Sequence, residues 1–222
     1  MLKRLHVENF KSLKNVDLEF ETNNILVGPN MSVKSNLLDC LKFLTHVTIN
    51  GVNDAFLRRG GFTEVAWKGA NGGPVSFRLV IDIGADDDDS KKSYEYEISI
   101  IGSQSGLISI EKENLIIKTR SKINTLVNLM NGRGKVTHAD GTVAFTPEDP
   151  NKSALEYSVP GWEGMTVKKY ISAFRYYHLE PSSMKQPNAA VAQTFLAENG
   201  NNFSSWYMTL WSSPVFTDTK LS

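Results

Sequence analysis

The stretch NILVGPNMSVKSNLLDCLKFL, Asn24 to Leu44, decides how the rest of the chain is read. Ile25-Leu26-Val27 is a short apolar run of the kind that lies buried at the centre of a sheet. Gly28-Pro29-Asn30 is a turn, and beyond it Leu37, Leu38, Leu41, Leu44 and Val47 recur at helical spacing. The order is strand, loop, helix. Gly28, Lys34 and Ser35 stand at the spacing GxxxxGK[ST]. In such a loop consecutive backbone N–H groups curl around a phosphate at the positive end of a helix. The lysine reaches the β- and γ-phosphates, and the following hydroxyl holds magnesium.

Working outward, Leu2, Leu5 and Val7 alternate with Lys3, Arg4 and His6 until Asn9-Phe10-Lys11-Ser12 interrupts, and Val16, Leu18 and Phe20 alternate again. Both patterns predict half-buried antiparallel strands. A short helix follows between Gly51 and Gly61. From there strand patterns come in succession, at Val75–Ile83, Tyr94–Ile101, Leu107–Ile110 and Leu115–Thr119. The acidic run Asp86–Asp89, Gly102-Ser103 and Glu113-Asn114 read as the turns between them. Asp140-Gly141 predicts a two-residue hairpin. Val167, Tyr170, Ile171 and Phe174 have helical spacing, Tyr176–Leu179 reads as a return strand, and Pro181 breaks it. Phe203, Trp206, Tyr207 and Leu210 are helically spaced in the Asn- and Ser-rich tail.

The 222 residues, 41% hydrophobic and 22% charged, have an ordinary globular composition. Lys+Arg and Asp+Glu balance at 24 each, so no whole-chain field attracts nucleic acid or an anionic membrane. Lys3, Arg4, Lys11, Lys14 and Arg58-Arg59 read as a solvated face or as neighbours of a phosphate site. No run is long enough to span a membrane, and the start MLKRLHVENF is too charged for a signal peptide, so a cytoplasmic protein is expected. Cys40 falls in the apolar stripe of its helix and reads as a small core residue. Four consecutive aspartates lack the alternate spacing of a calcium loop, and the histidines His6, His46, His138 and His178 show no ligand spacing.

The segment LHVENFKSLKNVDLEFETNNILVGPNMSVKSNLLDCLKFL resembles the start of AAA ATPases of the SMC/RecF/OLD type, whose nucleotide-binding heads are ABC-like. Their pattern is a strand, NFKS, a second strand, and then GPNGSGKSNLLDAL after an apolar residue. Asn9–Ser12, Gly28–Asn30, Ser32 and Lys34–Asp39 match it, and FRYYHLEPSSMKQP resembles the family's later strand and loop.

The resemblance implies an α/β P-loop NTPase head. It would have a mixed sheet, a P-loop core over 1–73, an antiparallel β lobe inserted over 74–146, and a return helix and strand opening a helical lobe over 147–222. It also implies ATP and Mg2+ as cofactors. Gly28, Pro29, Asn30, Met31, Ser32, Val33, Lys34, Ser35 and Asn36 would line the phosphates, Lys11 and Ser12 would lie beside the nucleotide, and Ser35 and Gln186 would hold the metal. Family partners are a second copy or another ATPase half, a nuclease or toxin, and DNA.

The chain departs from the pattern at Met31 and Val33, which replace the two glycines of GPNGSGKS. A β-branched residue at positive φ carries about 1–2 kcal/mol of strain, and its Cβ crowds a bound phosphate. The family's signature motif, its Asp-Glu pair and its switch histidine have no counterpart, so the chain reads as truncated and as a half-site at most. These departures predict weakened nucleotide binding with no hydrolysis by the isolated chain. The rival reading is a non-enzymatic pseudo-ATPase interaction module of a DNA-repair or anti-phage system.

Overall fold

A computed structural model of the chain describes residues 1–28, 33–69, 73–84, 91–103, 106–189 and 191–212. They form two compact units, Met1–Phe174 and Arg175–Ser222.

The first unit is built on an eight-stranded sheet in the order β2-β1-β3-β4-β5-β6-β7-β8. β1 (Leu2–Phe10) and β2 (Leu13–Glu19) form a hairpin, and β1 also pairs with β3 (Val75–Ile83). From β3 the sheet continues as a meander through β4 (Lys92–Gly102), β5 (Ile108–Lys118), β6 (Ile123–Met130), β7 (Arg133–Thr137) and β8 (Val143–Phe145). The helices are α1 (Val33–Asn50), α2 (Val52–Leu57), α3 (Phe62–Val65) and α4 (Gly164–Ser172).

α1 lies over one face of the sheet because Leu37, Cys40, Phe43, Leu44 and Val47 form its buried stripe. Phe43 is the hub. Its ring lies 5.4 Å from Phe10, 5.3 Å from Phe77 and 4.9 Å from Phe56, which joins α1 to two strands and to α2. Cys40 is fully buried, and burial pushes its thiol well above the usual range, so it behaves as a small core residue. The opposite face of the sheet is polar. Its cross-strand rows carry the ion pairs Arg4–Asp17, Lys112–Glu97 and Lys118–Glu95.

The structure differs from the sequence reading in several places. Every described strand pairing is antiparallel, not mixed. The run expected to form a central strand, Ile25–Val27, pairs with no described strand and is exposed by 89%, 45% and 90% along its length. Apolar composition suits a buried strand, but burial requires a neighbouring strand, and both neighbours of β1 are already supplied by β2 and β3. Glu113-Asn114 is not a turn but the middle of β5. The Glu113 carboxylate is wholly buried there because it accepts from Tyr96 Oη at 2.9 Å, Ser153 Oγ at 2.6 Å and the Ala154 N–H at 2.9 Å. Those donors satisfy a group that burial otherwise penalises. The β7–β8 connection spans residues 138–142, so it is longer than two residues; the Asp140 carboxylate accepts from the Thr142 N–H and hydroxyl, with Gly141 at φ +88°.

The second unit contains α5 (Pro181–Met184) and α6 (Phe203–Trp211). The expected return strand Tyr176–Leu179 is not a strand but irregular chain, tied by His178 N–H to Glu198 O at 2.7 Å. α6 carries a ladder of rings, Phe203, Tyr207 and Trp211, about one helical turn apart.

Candidate functional site

Two local conformations set the site. The Asn9–Ser12 turn links β1 to β2 with Asn9 at φ +58° and Lys11 at φ +49°. Asparagine visits this left-handed region readily, whereas lysine does so at a cost. Long-range bonds hold the turn: Lys11 N–H donates to Val65 O at 2.6 Å, Trp67 N–H to Asn9 O at 2.8 Å, and the Asn9 amide to Pro74 O at 3.0 Å. The second element is the start of α1, whose first turn carries no acidic residue. The partial positive charge at the helix start therefore meets no carboxylate from the side chains of that turn.

The turn and the helix are bonded to each other. The Asn36 amide donates to Ser12 Oγ at 2.6 Å, and Lys11 Nζ lies 2.6 Å from Asp39 Oδ2. The NFKS-like turn and the KSNLLD-like helix start thus form one structure. Lys34 Nζ donates back to the Gly28 carbonyl across the bend between the apolar run and α1. Ser35 is exposed beside it.

Behind this surface lies Arg59, which the sequence reading left as a solvated or neighbouring charge. Its side chain is only 8% exposed. It grips Asp39 with two nitrogens, Nη2 at 2.7 Å and Nε at 3.1 Å from Oδ1. Arg59 Nη1 donates to Ala55 O at 3.0 Å, and its guanidinium lies 5.2 Å from the Phe43 ring centre. His46 Nδ1 lies 3.2 Å from Nη1 and must accept, since guanidinium only donates. Burial, then the charge of Arg59, pushes the imidazole below its usual pKa. Burial alone would raise the Asp39 carboxyl, but hydrogen bonds from Arg59 and Lys11 hold it below the usual carboxylate range. The one sequence cue to this cluster is an aspartate set between buried Leu37 and Cys40 on α1; nothing in spacing points to Arg59.

Of the residues expected to line the phosphates, Pro29, Asn30, Met31 and Ser32 lie outside the described residues. Gly28, Lys34, Ser35 and Asn36 gather at the bend, with Ser12 bonded to Asn36 and with Lys11 held by Asp39. Val33 opens α1, and helical backbone needs no positive φ at that position, so the strain expected there does not arise. Gln186 belongs to the second unit, exposed in the bend after α5 with its N–H donating to Ser183 O at 3.1 Å.

The residues at the bend suit a phosphate: a lysine, an exposed hydroxyl and a helix start without carboxylates. Among the described residues no group of three or more His, Cys, Asp or Glu gathers to hold a metal. No described helix is long and apolar enough to cross a membrane.

A family model described as an AAA domain matches residues 4–153, about two thirds of the chain. No curated protein matches the chain.

Proposed function

The chain belongs to the AAA-domain family, and from that premise we propose that it is the nucleotide-binding part of an SMC/RecF/OLD-type ATPase, taking ATP with Mg2+ at the Gly28–Asn36 bend. AAA domains are ATPase-type nucleotide-binding modules. The reading is carried by Lys34, whose ammonium folds back over the bend onto the Gly28 carbonyl. A cation held there beside the α1 N-terminus favours a phosphate chain by charge and by N–H donation. Lys34 would pair with phosphate oxygens, Ser35 would ligate Mg2+, and the Ser12–Asn36 pair would form the neighbouring wall.

Binding is weaker than an intact glycine loop gives, because the sequence puts side chains at positions 31 and 33, where the family pattern has glycine. Hydrolysis by this chain alone is absent: no Asp in its sequence is followed directly by Glu, the order in which the family's pair holds magnesium and polarises water. A second reading, an interaction module that no longer uses nucleotide, draws support from the exposed run Ile25–Val27 directly before the bend.

Calorimetric titration of the wild type and of Lys34→Ala with Mg-ATP separates them. The first reading expects saturable binding that Lys34→Ala weakens at least about tenfold. No binding by the wild type would overturn it in favour of the second; equal binding by both proteins would overturn the assignment of the site to Lys34.

A further inference from the structure

We propose that Arg59 is a positioning residue for the phosphate site: through Asp39 it fixes both α1 and Lys11 of the Asn9–Ser12 turn, and so sets the distance between the Ser12–Asn36 wall and Lys34. The inference rests on the nucleotide reading above.

Four observations carry it. Arg59 is almost wholly buried, and it is gripped at each nitrogen, by Asp39, Ala55 O and His46, with the Phe43 ring beneath. A guanidinium fixed on so many sides cannot leave its carboxylate without repacking the core around Phe43. Asp39 receives a second cation, Lys11, at 2.6 Å, although one would neutralise it. Lys11 also adopts a left-handed backbone that its side chain does not favour, and the Asp39 contact together with the Lys11 N–H bond to Val65 O holds it there. Finally, Ser12, next to Lys11, is the residue bonded to Asn36, one turn ahead of Asp39 on the same helix. Two bridges one turn apart, Ser12–Asn36 and Lys11–Asp39, define the angle between turn and helix; only the second is anchored to the core.

The chain of support therefore runs from Phe43 and Ala55 to Arg59, from Arg59 to Asp39, and from Asp39 to Lys11 and the turn. Arg59 touches neither Lys34 nor the bend in any described contact. Its influence on a phosphate would be exerted through position alone. A fixed first shell needs such a support, since small displacements of binding groups are costly.

The test uses Arg59→Gln, Arg59→Lys and the half-exposed Lys11→Met, with Lys34→Ala as the reference for the site itself. Hydrogen exchange on the nucleotide-free protein reads the turn: Arg59→Gln and Lys11→Met should speed exchange at the Lys11 amide, and Arg59→Lys should do so less. Mg-ATP titration reads the consequence: both Arg59→Gln and Lys11→Met should weaken binding about tenfold, with partial recovery in Arg59→Lys. Melting curves identify any variant that fails to fold, in which case Lys11→Met, whose side chain is partly exposed, decides alone. If Lys34→Ala abolishes binding while Lys11→Met and Arg59→Gln bind like wild type, the positioning role is wrong and the site survives. If Lys34→Ala changes nothing, the assignment of the site to Lys34 fails and this inference falls with it. Faster exchange without altered nucleotide affinity would reduce Arg59 to a stabilising residue and overturn the proposal.

Discussion

The Tyr96 hydroxyl donates to the Glu113 carboxylate at 2.9 Å inside the sheet, where both side chains are inaccessible to water. Ser153 and Ala154 complete the shell, and Ser153 also caps the 3-10 turn Ala154–Glu156. This one carboxylate therefore ties β4 and β5 to the segment that follows the meander. Glu113→Ala should destabilise by about 3 kcal/mol, because it strands a buried N–H and two hydroxyls. Glu113→Gln should come within about 1 kcal/mol of wild type: its carbonyl can face Ala154 while its amide donates to the two hydroxyls. Denaturant midpoints of the three proteins test this, and an Ala variant as stable as Gln would show that the network contributes nothing.

Burial raises the Glu113 pKa above its ordinary value. A carboxylate raised on folding stabilises fully below its unfolded pKa, and that stability is lost as pH rises through the folded value. The stability difference between wild type and Glu113→Gln should thus move in favour of Gln as pH rises from about 4 upward. Chemical denaturation across that range measures it; a pH-independent difference would contradict the burial argument.

Asp39 has the opposite sign. Its pKa is held down by Arg59 and Lys11 despite burial. Its contribution is present above the unfolded carboxylate pKa and is lost as pH falls through the lower folded value. Asp39→Asn should cost about 2 kcal/mol at neutral pH, since Arg59 loses its charged partner while buried. The gap to wild type should close below about pH 4. A gap that stays constant to pH 3 would mean the loss is steric.

Phe43→Ala should be among the most damaging single changes in the first unit, at about 4 kcal/mol. It leaves a cavity among Phe10, Phe56 and Phe77 and also removes the ring beneath Arg59. Melting of Phe43→Leu beside Phe43→Ala separates volume from aromatic contact; Leu should recover more than half of the loss.

On the nucleotide reading, Met31→Gly combined with Val33→Gly should tighten Mg-ATP binding about tenfold by restoring glycine at the two positions where the family pattern has it. Because Val33 opens α1, the change should also lower stability by up to about 1 kcal/mol. Phosphate release should remain at background. Unchanged affinity in the double variant would mean that the side chains at these positions are tolerated.

Local periodicity made much of this fold legible. β3 carries the limits that its alternation predicts, Val75–Ile83, and α1 follows the apolar spacing after Gly28. What stayed hidden depends on partners far along the chain. Glu113-Asn114 looks like a turn unless Tyr96 and Ser153 are known to surround it. Ile25–Val27 looks like a core strand because its composition is that of one, yet composition does not supply a neighbour. Motif spacing also singles out Lys34, Ser35 and Asn36, which open α1 together with Val33. The Arg59–Asp39 clamp was not legible, since it joins α1 to the residues after α2 through a contact that no repeat or spacing encodes.

The position of β1 has a consequence for how the chain folds. The first strand lies inside the sheet, with Leu5 opposite Leu18 on one side and opposite Leu79 on the other. The first pairing is local and forms as a hairpin, but the second closes a loop that contains three helices, and such closure is slow. Until β3 arrives, β1 keeps one bare edge, open to the wrong strand of its own chain or of a neighbour. The β3–β8 meander, whose internal strand pairings all join successive strands, can assemble meanwhile. Folding of this unit is therefore expected to end with the docking of the β1–β2 hairpin onto β3, which makes that late step the one most exposed to aggregation.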